Sequence, residues 1–188
     1  MEDALLHGTK LVNAKGEAID GGDVGKPGLL ALYFAANWCP DCRAFQPKLN
    51  DFYAEANATK QQLDVVFLSS DMSEKDQQMH FSTKHGEWWM VPRGAEIRNE
   101  LRRKFGIRNG KDDAEVGVTH RNSGIPALVI IRGPGLPGRP ASRERRHQGA
   151  GQLASQGTAD QTYSLAFTLL ILQQERSNKC WTFHFVLR

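Results

Sequence analysis

Cys39 and Cys42 stand three positions apart in the stretch YFAANWCPDCRAFQPKL, which runs from Tyr33 to Leu49. Two thiols at this spacing can clamp a metal, close a structural bridge, or exchange electrons. A structural zinc site needs four ligands, and the one other cysteine is Cys180, with His184 four residues on, far along the chain. A bridge across so small a loop restricts the unfolded chain little. Electron exchange has the stronger physical basis. A thiol at the start of a helix meets unpaired backbone N–H groups and the positive end of the helix dipole, and both favour its thiolate. Cys39 is then the nucleophile and Cys42, one turn further in, the resolving thiol. Cys39 attacks a substrate disulfide, Cys42 displaces the reduced product, and an external reductant reopens the Cys39–Cys42 bridge.

That chemistry requires a strand ending and a helix beginning at the cysteines. LLALYFAAN is an apolar run of strand length, as expected for a strand covered on both faces. A helix follows from Cys39 or Pro40 to about Asn57, with Phe45, Leu49, Phe52 and Tyr53 on its inner face and Pro47 inside it. Two short strands around Lys15–Gly16 precede this unit. A second buried strand, LDVVFLSSD, leads to a helix capped by Ser73. WWMVP reads as an apolar connector. AEIRNELRRKFGI reads as a third helix, with Ile97, Leu101 and Phe105 inward, the arginines outward and Gly106 as its stop. The polar stretch from Arg108 to Ser123 reads as a loop before the strand IPALVIIR. Strands alternating with helices indicate an α/β fold with a central mixed sheet flanked by helices.

Composition fits one soluble domain: 188 residues, 40% hydrophobic, 24% charged. With three cysteines and no basic, apolar leader at the start, the expected compartment is the cytoplasm. YSLAFTLLIL is about half the length of a membrane span, so no membrane partner is expected. The chain divides at 132. Residues 1–132 form the domain, and 133–188 an atypical tail, rich in Gly, Pro, Arg and Gln, that reads as flexible or poorly packed, within which YSLAFTLLILQQERSNK reads as a helix and WTFHFVLR alternates like a strand. From Arg132 to the end there are 8 Lys and Arg against 3 Asp and Glu. This charge lacks any nucleic-acid reading motif and is expected to be solvated.

The W-C-P-x-C motif at Trp38–Cys42, after an apolar strand and with Pro47 beyond it, resembles the thioredoxin superfamily. GIPALVII, from Gly124 to Ile131, is similar to that superfamily's cis-proline strand. Within the superfamily the chain resembles tryparedoxins and nucleoredoxins through ALYFAANWCPDCRAFQPKLNDFY, then VVFLSSDMSEKDQQMHFSTKHGEWWMVP, then RNELRRKFGI. The resemblance spans roughly Thr9 to Ile131. It implies a thioredoxin-like fold and a dithiol–disulfide oxidoreductase without a bound cofactor. The bridge would be recharged by trypanothione, glutathione or a reductase, and the clients would be protein disulfides, including that of a peroxiredoxin-type peroxidase. The alternative is a nucleoredoxin-like module that binds partners according to redox state with little turnover. A monomer is expected. The resemblance also implies that Trp38 and Pro40 flank the dithiol. A cis Ile125–Pro126 bond would lie beside Cys39 and leave a backbone edge for substrate.

Several residues depart from the family's text. Asp41 replaces a proline, and its charge is expected to raise the Cys39 pKa and slow the nucleophile. Arg93 stands where an apolar aromatic is usual. The Arg108–Ser123 loop is longer than the family's short turn and is expected to cover part of the substrate edge. The tail offers no hairpin strand after the cis-proline strand, so an open sheet edge is expected. Tyr33 holds the place of the superfamily's buried acid, where core packing is the simpler role. Arg43 could attract an anionic or glutathionyl substrate, or be an ordinary solvated helix charge. His80, His85 and His120 read as ordinary polar residues, and Cys180 as incidental.

Overall fold

The computed structural model describes residues 5–26, 28–132 and 182–186. Lys10–Val12 (β1) and Ala18–Asp20 (β2) form an antiparallel pair. Asn13 Oδ1 closes their turn by accepting the Lys15 and Glu17 amides at 3.0 and 2.9 Å. Gly16 there takes a left-handed φ of 84°, which glycine adopts without strain. The apolar run supplies Leu29–Ala35 (β3), and Pro40–Ala56 (α1) follows it. Leu63–Ser69 (β4) leads to Glu74–Lys84 (α2), whose cap Ser73 accepts the Asp76 amide at 3.0 Å. Trp89–Met90 is a two-residue strand (β5), too short for sequence periodicity to reveal within WWMVP. Ile97–Phe105 (α3) ends at Gly106, whose φ of 63° makes the left-handed stop. Asp113–Val116 (α4) is a single turn inside the stretch that reads as loop. Ala127–Arg132 (β6) and Thr182–Val186 (β7) complete the strands.

The sheet runs β2-β1-β5-β4-β3-β6-β7. β3 and β4 pair in parallel, β6 runs antiparallel to β3, and β5 joins β4 to β1. β3 is central, and both its faces are buried. Ala31, Tyr33 and Ala35 pack with Phe45, Leu49 and Phe52 of α1 and with Phe81 of α2. Leu30, Leu32 and Phe34 face the opposite way, onto Leu101 of α3, Ile107 and Val91. Alternation at a period of two thus feeds two cores, one on each face, as an unbroken apolar strand requires.

Two expectations change. β7, from the far end of the chain, pairs in parallel along β6 from Ala127↔Thr182 to Ile131↔Val186. The edge beyond β6 is therefore occupied, by a parallel strand and not by a hairpin partner, and this strand enters the sheet from beyond residue 132. The remaining features expected of the tail, and Cys180, lie outside the described residues. The second change concerns α3. Arg98 and Arg102 point inward, at 6% and 1% exposure. Arg98 Nη1 donates to the Ser69 carbonyl at 2.8 Å at the end of β4. Arg102 pairs with Asp112 at 2.8 Å and with Asp113 at 2.9 Å, and so fastens the Arg108–Ser123 segment to α3.

Asp113 is the other half of that fastening. It accepts the Asn109 and Gly110 amides at 2.8 and 2.9 Å and Arg108 Nε at 3.1 Å. Burial alone would raise its pKa, but these donors and the Arg102 charge hold the carboxyl below its usual value. Arg103 Nη1 adds a bond to the Val116 carbonyl at 2.9 Å. The segment's two ends meet where the Arg108 amide donates to the Ser123 carbonyl at 2.9 Å, giving a compact loop with joined ends. Removing one partner of a buried ion pair strands the other charge, at a cost of about 3–5 kcal/mol. Arg102→Ala is therefore expected to lower the urea midpoint by a corresponding amount and to speed hydrogen exchange between Asn109 and Val118. An unchanged midpoint would show that Arg102 does not anchor the loop.

Candidate active site

The dithiol lies at the end of β3, beside the end of its parallel neighbour β4, the edge where open α/β sheets gather their chemistry. Residues 69–71 buttress it. The Ser70 amide donates to the Ala35 carbonyl at 2.8 Å, and the Trp38 indole Nε1–H to the Ser70 carbonyl at 3.0 Å. Asp71, 2% exposed, accepts the Asn37 amide at 2.7 Å on one oxygen. Its other oxygen accepts the Ser69 hydroxyl at 2.8 Å and His80 Nδ1–H at 2.9 Å. Burial opposes this carboxylate, but the His80 and Asn37 bonds outweigh that and lower its pKa. Arg93 donates to the Asp71 carbonyl. Asn37 and Trp38 are thus pinned on the approach to Cys39.

Cys39 itself is the N-cap of α1. Its Sγ accepts the Cys42 amide at 3.3 Å, the place a capping oxygen usually takes. Pro40 occupies the first helical position, where a missing N–H costs nothing. The Cys39 pKa is lowered to about 7, first by the hydrogen bond from the Cys42 thiol and then by the Cys42 and Asp41 amides, against the cost of burial. Cys42, 1% exposed, moves the opposite way, pushed far up by burial and by its bond to Cys39. Both cysteines are free thiols. One is poised to ionise near neutral pH while the other keeps its proton.

Asp41 acts on Cys39 in two opposing ways. Its charge raises the Cys39 pKa, as expected, but its backbone N–H lowers it by more. A proline there would remove both, so replacing Asp41 by proline is expected to raise the Cys39 pKa, where the sequence suggested that proline would lower it.

The remaining expected residues divide. The Ile125 carbonyl accepts the Cys39 thiol at 3.7 Å, and the Ile125–Pro126 bond is cis. Trp38 and Ile125 line a groove of about 330 Å³ with Cys39. Arg43 lies outside that lining, its Nη1 donating to the Asn37 carbonyl at 2.6 Å. Tyr33 is fully buried among Phe45, Phe67, His85 and Trp88, and its hydroxyl has no partner among the described residues. Burial, then the charges of the nearby cysteines and Asp71, hold its pKa well above the usual value, so Tyr33 stays neutral and packs. A larger hollow of about 580 Å³, between Lys15, Tyr53, Gln61 and Trp88, contains neither cysteine.

Sequence reasoning missed three groups. Asp71 and His80 are the buried brace of the approach turn, whereas the sequence left His80 an ordinary polar residue. Arg108, Asn109, Gly110, Asp113 and Arg121 line the groove from the long loop, and Gly124 from the residue that follows it. Lys111 from the same loop sits over the Trp38 ring, 3.9 Å from its centroid. The expectation that this loop reaches the substrate edge is where these residues could have been sought. No group of three or more His, Cys, Asp or Glu suited to a metal occurs among the described residues.

The family model described as thioredoxin-like matches residues 27–135. The chain belongs to the thioredoxin-like family. It is 36% identical over 125 residues to a tryparedoxin of Trypanosoma brucei brucei, covering 65% of this chain and 72% of that protein. It is 32% identical over 115 residues to a nucleoredoxin of Danio rerio, covering 61% of this chain and only 22% of that longer protein. Among solved structures it resembles the thioredoxin of Wuchereria bancrofti, with a TM-score of 0.57 and 33% identity over 71% of this chain and 81% of that one. It also resembles a tryparedoxin II complexed with glutathionylspermidine, with a TM-score of 0.52 and 25% identity over 69% and 77%. These matches place the dithiol in an oxidoreductase family.

The unequal thiols give a measurable profile. Alkylation of reduced protein is expected to modify Cys39 with a rate that rises through about pH 7 and then levels, with Cys42 unlabelled. Asp41→Asn, which keeps the amide and removes the charge, is expected to shift the midpoint down, and Asp41→Pro to shift it up. A midpoint near that of an ordinary thiol, about 8.5, would contradict this account of the site.

Proposed function

We propose that this chain is a thiol–disulfide oxidoreductase that reduces disulfides through Cys39 and Cys42. The observation that carries the reading is the Cys39 sulfur acting as the cap of α1, 3.3 Å from the Cys42 amide and open to the groove. In the forward half-reaction the Cys39 thiolate attacks one sulfur of the client disulfide. A Cys39–client disulfide forms, and the client's other sulfur leaves as a thiolate that takes a proton from water. The Cys39 charge is then gone, and with it one cause of the high Cys42 pKa. Cys42 gives its proton to solvent, returning the one the first client thiolate took, and as a thiolate supported by the Ala36 amide it attacks Cys39 Sγ. The second client sulfur departs as a thiolate. Two electrons have passed from the dithiol to the client, leaving the Cys39–Cys42 bridge. A low-molecular-weight dithiol, glutathione or a reductase returns them by the reverse exchange.

Trp38 and Ile125 line the groove at which the client sulfur arrives, with Pro40 next to Cys39 and Pro126 next to Ile125 in the chain. Similarity to tryparedoxins supports a small thiol as reductant and protein disulfides, a peroxidase's among them, as clients. Cys42→Ser is expected to accumulate mixed disulfides on Cys39 that mass spectrometry resolves, and Cys39→Ser to reduce insulin no faster than dithiothreitol alone. If wild-type protein also fails to exceed that background, and retains partners whether or not Cys39 is present, the chain is instead a redox-responsive binding module of the nucleoredoxin kind.

A further inference from the structure

The groove over Cys39 carries a charge pattern that its chemistry alone does not require. Within the loop, Arg102 faces Asp112 and Asp113, and Asp113 also holds Arg108, so these four charges balance locally. Two cations from the same loop stand outside that balance. Arg121 lines the groove and is exposed, with no ion-pair partner among the described residues. A Cβ added to Gly124 would lie 3.2 Å from its Nη2, which puts the guanidinium beside the residue that leads into Ile125. Lys111 Nζ is held over the ring of Trp38, itself part of the groove lining. No acidic side chain apart from the already paired Asp113 lines the groove, and Asp41 does not. A substrate lying along the loop wall of the groove therefore meets a surplus of positive charge, while the Asp41 charge acts on Cys39 from α1.

We propose that the Arg108–Ser123 loop is a specificity element, in which Arg121 and Lys111 select disulfides bearing carboxylates close to the sulfur and discourage cationic ones. This rests on the oxidoreductase reading and names the substrate class of that site. The groove, at about 330 Å³, is at the small end of small-molecule pockets, about 300–1,000 Å³. It suits a glutathionyl group, a tripeptide thiol with two carboxylates and one ammonium. Arg supplies a planar fork matched to a carboxylate, and Lys a point charge above the ring against which a peptide chain can lie. Arg43, the sequence candidate for this task, is occupied with Asn37 and outside the lining. The loop's anchor explains why the cations are in place before substrate arrives: Arg102 and Asp113 fix the segment that carries Lys111, and the joined ends fix Arg121 beside the cis-proline strand. Preorganised charges select without a cost of ordering at the moment of binding.

The test oxidises pre-reduced protein with excess disulfide in single turnovers, so that no added reductant is needed. Two protein thiols become the Cys39–Cys42 bridge, and each disulfide becomes two thiols. Rates are read by acid quench, alkylation and mass spectrometry. The probes are glutathione disulfide, neutral 2-hydroxyethyl disulfide, cationic cystamine, and a neutral peptide carrying one glutathionylated cysteine. Glutathione disulfide is expected to react about tenfold faster than cystamine at low ionic strength, with the advantage shrinking as salt screens the charges. Arg121→Ala with Lys111→Ala should bring that ratio towards one, whereas Arg121→Lys should keep most of it. The same preference for the glutathionylated peptide would place the carboxylates on a modified protein as well as on free glutathione; its absence there would leave the free disulfide as the source. A ratio near one in wild-type protein, or a ratio indifferent to salt, overturns the proposal whatever the variants do. Failure of the neutral disulfide to oxidise wild-type protein at all would instead overturn the oxidoreductase reading beneath it.

Discussion

A sulfur sits where a helix normally takes a capping oxygen, and most of the architecture serves that placement. Cys39 accepts the Cys42 amide in the manner of a Ser or Asp cap, so stabilising the helix end and stabilising a thiolate are the same act. Ionisation strengthens the cap, because a charged acceptor bonds the amides more strongly than a neutral one. The second thiol contributes its own proton to the first, and that shared hydrogen bond, together with the burial of Cys42, drives the two pKa values apart. A division of labour between chemically identical side chains follows from position alone.

Holding that sulfur still requires a rigid approach from the sheet. β3 ends at Ala35, and no regular secondary structure fixes the turn from Ala36 to Cys39. The stiffness comes from β4, whose end supplies the Ser70 carbonyl for Trp38 and the Asp71 carboxylate for the Asn37 amide. Asp71 is tolerated in the interior because Ser69, Asn37 and His80 satisfy it. Arg98 and Arg93 then tie the same corner to α3 and to the segment before it. Polar groups at this corner thus do what apolar packing does elsewhere, fixing direction as well as distance.

The legibility of these parts in the sequence followed their range. β3, α1, β4 and α2 were readable because each carries a local pattern: an apolar run, a helical stripe, a capping serine. The dithiol was readable because two cysteines at a helix start have few other uses. Arg102 was not, because helical periodicity assigns charges to the outside, and the acids that justify its burial lie in a different element whose position only the folded chain fixes. Asp71 with His80 was hidden for the same reason, since each residue alone reads as polar surface. β5 was too brief to show a period, and β7 showed its strand alternation in WTFHFVLR but not its partner, a strand remote from it along the chain. Asp41 shows a further limit: its side-chain charge could be read from its letter, while the larger influence came from its main chain.

The loop between α3 and β6 begins and ends at neighbouring points, with Ile107 bridged to Ser123 and the Arg108 amide on the Ser123 carbonyl. Whatever the chain does between those points, the helix and the strand it joins receive the same boundary conditions. Apart from Asp112 and Asp113, which neutralise the buried Arg102, length and composition there can drift with little effect on the sulfur chemistry, since a flexible closure costs only slowly more as it lengthens. Recognition and electron exchange are in that sense inherited on separate pieces of the same chain, and a lineage could exchange the first while leaving the second untouched.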